Sequence, residues 1–271
     1  MRHLSIIANL IVFILLTGCG ENSENSGNDY YRDRKLGIIG GSVVLKNSEI
    51  ARMSVYVGVA FLKGGTPVYE GTCSGVLIAP KVVLTAAHCF HNKSIEYDSK
   101  KVFIGFGTDL RPKSDLVLWI AKETILHPEY RDDELNSSVD VAAVILPKAA
   151  PHPFKSAEIF WDASKLGEES LILSGYGIIS ETPKVLSYDL KSVVSKVLIV
   201  DWDSITVKDS YENATCSGDS GGPAFFDKDG KLYLVGTLMS GVGDEERNCG
   251  TYSVITRLDK LQSFVRPFLG H

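Results

Sequence analysis

The feature that most limits this chain is its texture of short apolar runs, each cut off by turn residues. From Ile38 onward, runs rich in Val and Ile recur at 54–62 (SVYVGVAFL), 75–79 (GVLIA), 82–85 (VVLT), 102–106, 117–120, 141–146, 171–173, 192–200, 233–238 and 252–256. Pro80 stops the second, and turn residues separate the others. Such runs with turn signals between them predict an all-β sandwich or barrel. Long amphipathic helices do not alternate with them, which disfavours a parallel α/β sheet. Helical spacing appears once, at the end. Leu258, Leu261, Phe264, Val265 and Phe268 predict one amphipathic helix over 258–269, with Pro267 near its close. The Pro-rich stretch at 147–153 is placed to join two β halves, with a junction near 147–155. At 271 residues and 44% hydrophobic content the chain has enough apolar material for a substantial core.

The first segment reads as an export signal rather than as part of the fold. Arg2 and His3 precede an almost wholly apolar run at 4–16, too short to span a bilayer comfortably. It ends in Leu16, Thr17, Gly18 and Cys19, which resembles the bacterial lipobox. That resemblance implies a signal peptide over 1–18, a mature start at Cys19 and acyl chains on its thiol that tether the protein to a membrane. The alternative is an ordinary signal peptide beside an incidental cysteine. Gly20 is not the aspartate that often marks inner-membrane retention, which favours the outer membrane. Residues 19–37 are mostly polar and read as a linker or propeptide. Five cysteines, an odd number, also need an explanation in an exported chain. Lipidation of Cys19 would leave Cys73, Cys89, Cys216 and Cys249, enough for two disulfides. No CxxC occurs, so a zinc site is not expected. The net charge of -5 and the lack of a long basic run give no sign of a nucleic-acid surface.

Three islands carry chemistry. They are 84–89 (LTAAHC), 140–146 (DVAAVIL) and 216–223 (CSGDSGGP). Glycines around Ser220 imply a tight backbone whose amides can face a ligand. A plain glycine turn is the bland reading. A serine hydroxyl becomes a useful nucleophile only with a base to take its proton and donors for the oxyanion. The amides of Gly218 and Ser220 are candidates for the donors. Of six histidines, His88 follows a strand-like run and is the candidate base; His127 and His152 precede prolines. His91 makes an HxxH pair with His88, but no third ligand is evident. Asp140 at the edge of an apolar run is either a turn residue or a buried partner for a histidine.

Together the islands resemble the chymotrypsin-like serine peptidases, in the family's chain order of His, Asp, Ser. The order also argues against an α/β-hydrolase, although residues 218–222 fit GxSxG. In those enzymes the histidine follows the serine, and here only His271 does. The resemblance covers 38–271. It implies two six-stranded antiparallel β-barrels packed together with a C-terminal α-helix, and the triad His88, Asp140 and Ser220. It further implies a Cys73–Cys89 disulfide and pairing of Cys216 with Cys249. The GYG run at 175–177 resembles the family's Gly-aromatic-Gly turn. Residues 38–41 (IIGG) match the family's activated start, with Asp219 as partner of the new amine, although Gly37 rather than Lys or Arg precedes Ile38. Ala214 falls at the base of the primary pocket, with Met239, Ser240, Gly241 and Gly250 on its wall. An uncharged base implies an apolar or small residue before the cut. The resemblance implies a monomeric endopeptidase acting on proteins or peptides, exported to the outer membrane or periplasm or released after processing, with no cofactor or metal. The second function class is a non-catalytic homologue used for binding.

Overall fold

The structure, a computed structural model, describes residues 38–112, 114–132, 139–210 and 212–270. The expected signal peptide, the Cys19 lipid site and the linker before Ile38 lie outside them. After β1 (Ser42–Val43) and the single helical turn α1 (Glu49–Met53), capped by the Ser48 hydroxyl, the chain builds a first barrel. Its strands are β2 (Ser54–Lys63), β3 (Thr66–Ala79), β4 (Val82–Thr85), β5 (Ser99–Phe106), β6 (Val117–Ile120), β7 (Glu123–Leu126) and β8 (Ala142–Ile145). The order is β6-β5-β2-β3-β4-β8-β7. β6 pairs with β5 and β7 with β8. Between them, Ala121 N–H donates to Val102 and Lys122 N–H to Ile145, one neighbour each. Thus β6 and β7 are two halves of one bent strand, and six strands enclose this core.

The second barrel holds β9 (Glu158–Ile159), β10 (Ser170–Gly175), β13 (Lys191–Val200), β14 (Ser204–Lys208), β15 (Pro223–Lys228), β16 (Lys231–Val242) and β17 (Tyr252–Arg257); β11 (Ile178–Glu181) and β12 (Lys184–Leu186) form a separate hairpin. β10, β15, β16, β17, β14 and β13 pair in sequence, and the β13–β14 ladder closes the ring. Along β13 the buried residues Lys191, Val193, Ser195 and Val197 alternate with more exposed ones, the two-residue period of a barrel wall. Between the barrels, residues 147–157 run along the first, with Ala157 N–H donating to Leu77, before β9 joins β16 of the second.

Each barrel has its own core, Val57, Phe61, Ile104 and Leu146 in the first and Leu171, Leu173, Val235 and Ile255 in the second. A third cluster lies between them, with Met53, Val76, Leu84 and Val141 meeting Phe225, Leu234, Leu258 and Val265. Each such side chain, fully buried, contributes about 1.5–3 kcal/mol. The C-terminal segment corrects one detail. Only Gln262–Val265 is α-helical, flanked by 3-10 turns at Leu258–Lys260 and Arg266–Phe268. Leu261, at φ -107 and ψ 28, interrupts the first turn, and Pro267 has no N–H to carry the helix on. The apolar spacing nonetheless placed the right residues, since Leu258, Leu261 and Val265 are buried and Phe264 and Phe268 pack beside them.

Candidate active site

His88 stands in a 3-10 turn, Ala87–Phe90, that β4 delivers to the barrel end. Asp140 enters one residue before Val141 and two before β8, and only 3% of it is exposed. Because β4 and β8 are paired neighbours, their ends bring the two side chains together. His88 Nδ1 lies 2.6 Å from Asp140 Oδ2, and the His88 backbone N–H donates to Oδ1 at 2.9 Å. Burial pulls the His88 pKa down, but the hydrogen bond and charge of Asp140 outweigh it and leave it above 6.5.

The 216–222 loop comes from the second barrel. Gly221 has φ +78, and a Cβ there would stand 2.0 Å from Thr85 Oγ1 and 2.5 Å from the Ser74 carbonyl. Only glycine lets this loop lie so close to β3 and β4, and hence to His88. Ser74 fastens it further: its N–H donates to the Ser220 carbonyl at 2.8 Å, and its hydroxyl to the Gly218 carbonyl at 2.9 Å.

Counting amide donors shows what the loop leaves open. Cys216 N–H donates to Asp219 Oδ2, Asp219 N–H to Cys216, Gly221 N–H to Leu238 and Gly222 N–H to Asp219. The amides of Ser217, Gly218 and Ser220 have no acceptor among the described residues. The carbonyl of Ser217 accepts from Ile178 and that of Asp219 from Gly222. In a trans peptide the N–H points opposite the carbonyl, so the Gly218 and Ser220 amides are turned away from those partners. A cleft of about 490 Å³ gathers His88, Gly218 and Ser220 with the Cys73–Cys89 pair, Glu70 and Lys184. Both expected disulfides are present, Cys73–Cys89 and Cys216–Cys249.

The family model described as Trypsin matches residues 38–265. The chain belongs to the trypsin family. It is 27% identical over 265 residues to the urokinase-type plasminogen activator of Gallus gallus, covering 88% of this chain and 58% of that protein. It is 28% identical to vitamin K-dependent protein C of Rattus norvegicus, covering 73% of this chain and 46% of that one. The third relative is the kallikrein 1-related peptidase b27 of Mus musculus, 29% identical, with 84% and 88% covered. The chain thus spans about half the length of the first two. The two-barrel trypsin fold is the one expected from its sequence.

Other expected site residues fall apart from the cleft. Ile38 is fully buried, and the Ala214 N–H donates to the Ile39 carbonyl at 2.9 Å. Asp219, 1% exposed, accepts from the Gly177 and Cys216 amides, and burial pushes its carboxyl up to about 7. None of Ala214, Met239, Ser240, Gly241 and Gly250 lines the 490 Å³ cleft. Gly241 backs onto the segment after Ala214, since a Cβ on it would stand 2.5 Å from the Thr215 carbonyl.

An acid that the sequence reading missed lies beneath that segment. Asp209 accepts from Ser195 and Ser253 hydroxyls, and Ser253 also bonds the Thr215 hydroxyl. Burial pushes Asp209 up to about 6. Nothing in its local sequence, a polar stretch that looks like a surface turn, marks it as interior. His91, the other half of the HxxH pair, lines the cleft with its Nδ1 3.6 Å from Asp132 Oδ2. Where sulfur, imidazole or carboxylate ligands do gather, as at Cys73, His88 and Cys89, the cysteines are spent in disulfides.

Proposed function

We propose that this chain is a serine endopeptidase that works through an acyl-enzyme. The observation that carries the reading is the pair of unengaged amides, Gly218 and Ser220, beside a serine in a cleft that the Asp140-held His88 also lines. In this mechanism His88 accepts the Ser220 proton through the imidazole nitrogen that Asp140 does not hold. Asp140 fixes the tautomer and stabilises the imidazolium. Ser220 Oγ attacks the scissile carbonyl, the two amides take up the oxyanion, and His88 returns the proton to the leaving amine. Water then releases the acyl group by the same proton path.

Ala214 and the wall of Met239, Ser240, Gly241 and Gly250 receive the side chain before the cut, with preference for an apolar or small residue. Cleavage before Ile38 gives an amine that pairs with Asp219. The export signal and a lipid on Cys19 place the precursor at a bacterial membrane, and two disulfides suit an oxidising compartment. Labelling with a fluorophosphonate probe tests the core of the proposal. Wild-type protein is expected to be labelled, and Ser220→Ala and His88→Ala each to lose labelling by at least about 1000-fold. Labelling that survives Ser220→Ala overturns the assignment; no labelling of the correctly cut wild type turns the reading to a binding homologue.

A further inference from the structure

Gly218 and Ser220 carry the two amides that the peptidase reading assigns to the oxyanion, and neither has an acceptor among the described residues. An N–H of this kind is aimed only by the peptide planes on either side of its residue, and a plane is held through its carbonyl. The planes around Ser220 are fixed by the Gly222 N–H on the Asp219 carbonyl and by the Ser74 N–H on the Ser220 carbonyl. Those around Gly218 are fixed by the Ile178 N–H on the Ser217 carbonyl, at 2.8 Å, and by the Ser74 hydroxyl on the Gly218 carbonyl, at 2.9 Å. Ser74 thus holds a plane next to each amide. The other anchors, like its own N–H, are backbone groups that almost any residue would provide. The Ser74 hydroxyl alone is a side chain.

That side chain acts where the backbone has most freedom. Gly218 has φ +96, open to glycine and strained for other residues, and a Cβ there would stand 2.8 Å from Gly177 Cα. The close approach excludes a stiffer residue, so the orientation of the 218–219 peptide depends on what its carbonyl meets. Ser74 is buried, with 1% exposed, and its hydroxyl has a single proton to give. The Tyr176 N–H donates to the same oxygen at 2.9 Å, which leaves that proton for Gly218. The Ser74 carbonyl accepts from the Thr85 hydroxyl at 2.7 Å, on the strand that leads to His88. One residue of β3 therefore ties together the strand that delivers the base, the 175–177 turn and both oxyanion residues.

We propose that Ser74 is a positioning residue for the oxyanion site: its hydroxyl fixes the Gly218 amide at the angle a developing oxyanion needs, and so acts on the transition state more than on substrate binding. The inference rests on the serine-peptidase reading and concerns a residue outside the triad and outside the two amides. Removing the hydroxyl leaves the Gly218 carbonyl and the Tyr176 N–H buried without a partner. The 218–219 peptide then turns to find one, and the Gly218 amide turns with it.

The test compares wild type, Ser74→Ala and Ser74→Thr with Ser54→Ala, which removes another buried hydroxyl, one that pairs with Ser174 instead of the loop. Each is assayed as the chain cut before Ile38. Fluorophosphonate labelling counts the competent sites, so rates are scored per active molecule. A peptide ester with a small apolar residue before the cut gives kcat and KM. A boronic acid of the same peptide, whose adduct on Ser220 places an oxygen between the two amides, gives an inhibition constant. Ser74→Ala is expected to lower kcat by about 30-fold, less than deleting an oxyanion donor, with KM within about 3-fold. Boronate binding should weaken by a similar factor. Ser74→Thr, which keeps the hydroxyl, and Ser54→Ala should both stay within about 3-fold of wild type. Three results overturn the proposal: Ser74→Ala lowering the denaturation midpoint with kcat per active site unchanged, kcat falling while boronate affinity holds, or Ser74→Thr no better than Ser74→Ala. A cut wild type that does not label at all removes the peptidase reading itself, and the role of Ser74 with it.

Discussion

On the first-barrel wall of the cleft, Asp140 takes two hydrogen bonds from one residue, His88, whose imidazole it can also charge-pair. On the second-barrel wall, Asp219 is as deeply buried, yet its partners are two uncharged amides and its carboxyl rises to about 7. The first arrangement is complete within the strands that carry it, because β4 and β8 are paired neighbours. The second draws its two donors from separate segments, Gly177 after β10 and Cys216 in the 216–222 loop. The difference teaches that strand pairing alone preforms the His88–Asp140 contact, whereas Asp219 is a buried carboxyl whose donors among the described residues are neutral, so its protonation is the more sensitive to its surroundings.

The largest expected effect separates the two walls directly. Asp140→Asn should lower the acylation rate by about 10⁴-fold, since the amide holds the wrong imidazole tautomer. Asp219→Asn should cost less, about 100- to 1000-fold, the scale of misplaced oxyanion donors. Ester-substrate kinetics on both variants would check the order, and a larger loss at Asp219 would erase the proposed distinction.

Stability offers a smaller contrast. The Cys216–Cys249 bridge spans 33 residues and Cys73–Cys89 spans 16. By loop entropy, replacing both cysteines of the longer bridge with Ala costs about 3.7 kcal/mol and of the shorter about 3.1 kcal/mol. Denaturant titration of the two double variants should give the larger loss on the second-barrel wall.

The smallest effects are in pH dependence, where activity and stability should move in opposite senses. Acylation needs neutral His88, so the rate should climb with pH through a midpoint above 6.5, and Asp140→Asn should shift that midpoint down. The raised His88 pKa favours folding below about pH 6.5, a contribution lost as pH rises through the folded value. Asp219 also binds its proton more tightly when folded, so its contribution falls as pH rises from the unfolded value of 3.8 towards about 7. Denaturation of the uncut chain across that range, with Asp219→Asn as the control, should show this loss removed in the variant.

Much of this architecture was legible because β-branched runs announce themselves. Runs 54–62, 82–85 and 117–120 fall on β2, β4 and β6 almost residue for residue. Other strands were hidden by their composition. β3 begins at Thr66, well before its apolar core, through Pro67, Gly71 and Gly75, and owes those residues to pairing with β2. β15 follows immediately on the 218–222 glycine loop, and β14 is a five-residue SITVK segment held between β13 and β17. Pairing partners, not local preference, decide such segments. The C-terminal periodicity found the buried residues correctly but not the breaks at Leu261 and Pro267.

The sequence by itself determined the alternation that makes two β-barrels, and the order of His88, Asp140 and Ser220 within the motifs that set this chain in its family. It also supplied the four cysteines that pair. These are matters of residue type and spacing along the chain, which local chemistry reads directly. Only the tertiary structure decided that the amides of Gly218 and Ser220 are left without acceptors among the described residues. It alone placed Asp209 beneath the segment after Ala214 and buried the Asp219 carboxyl against Gly175 and Gly177. Those facts depend on register and burial, because a carboxylate or an ammonium looks the same in sequence whether water or a barrel interior surrounds it, and the surroundings fix its energy.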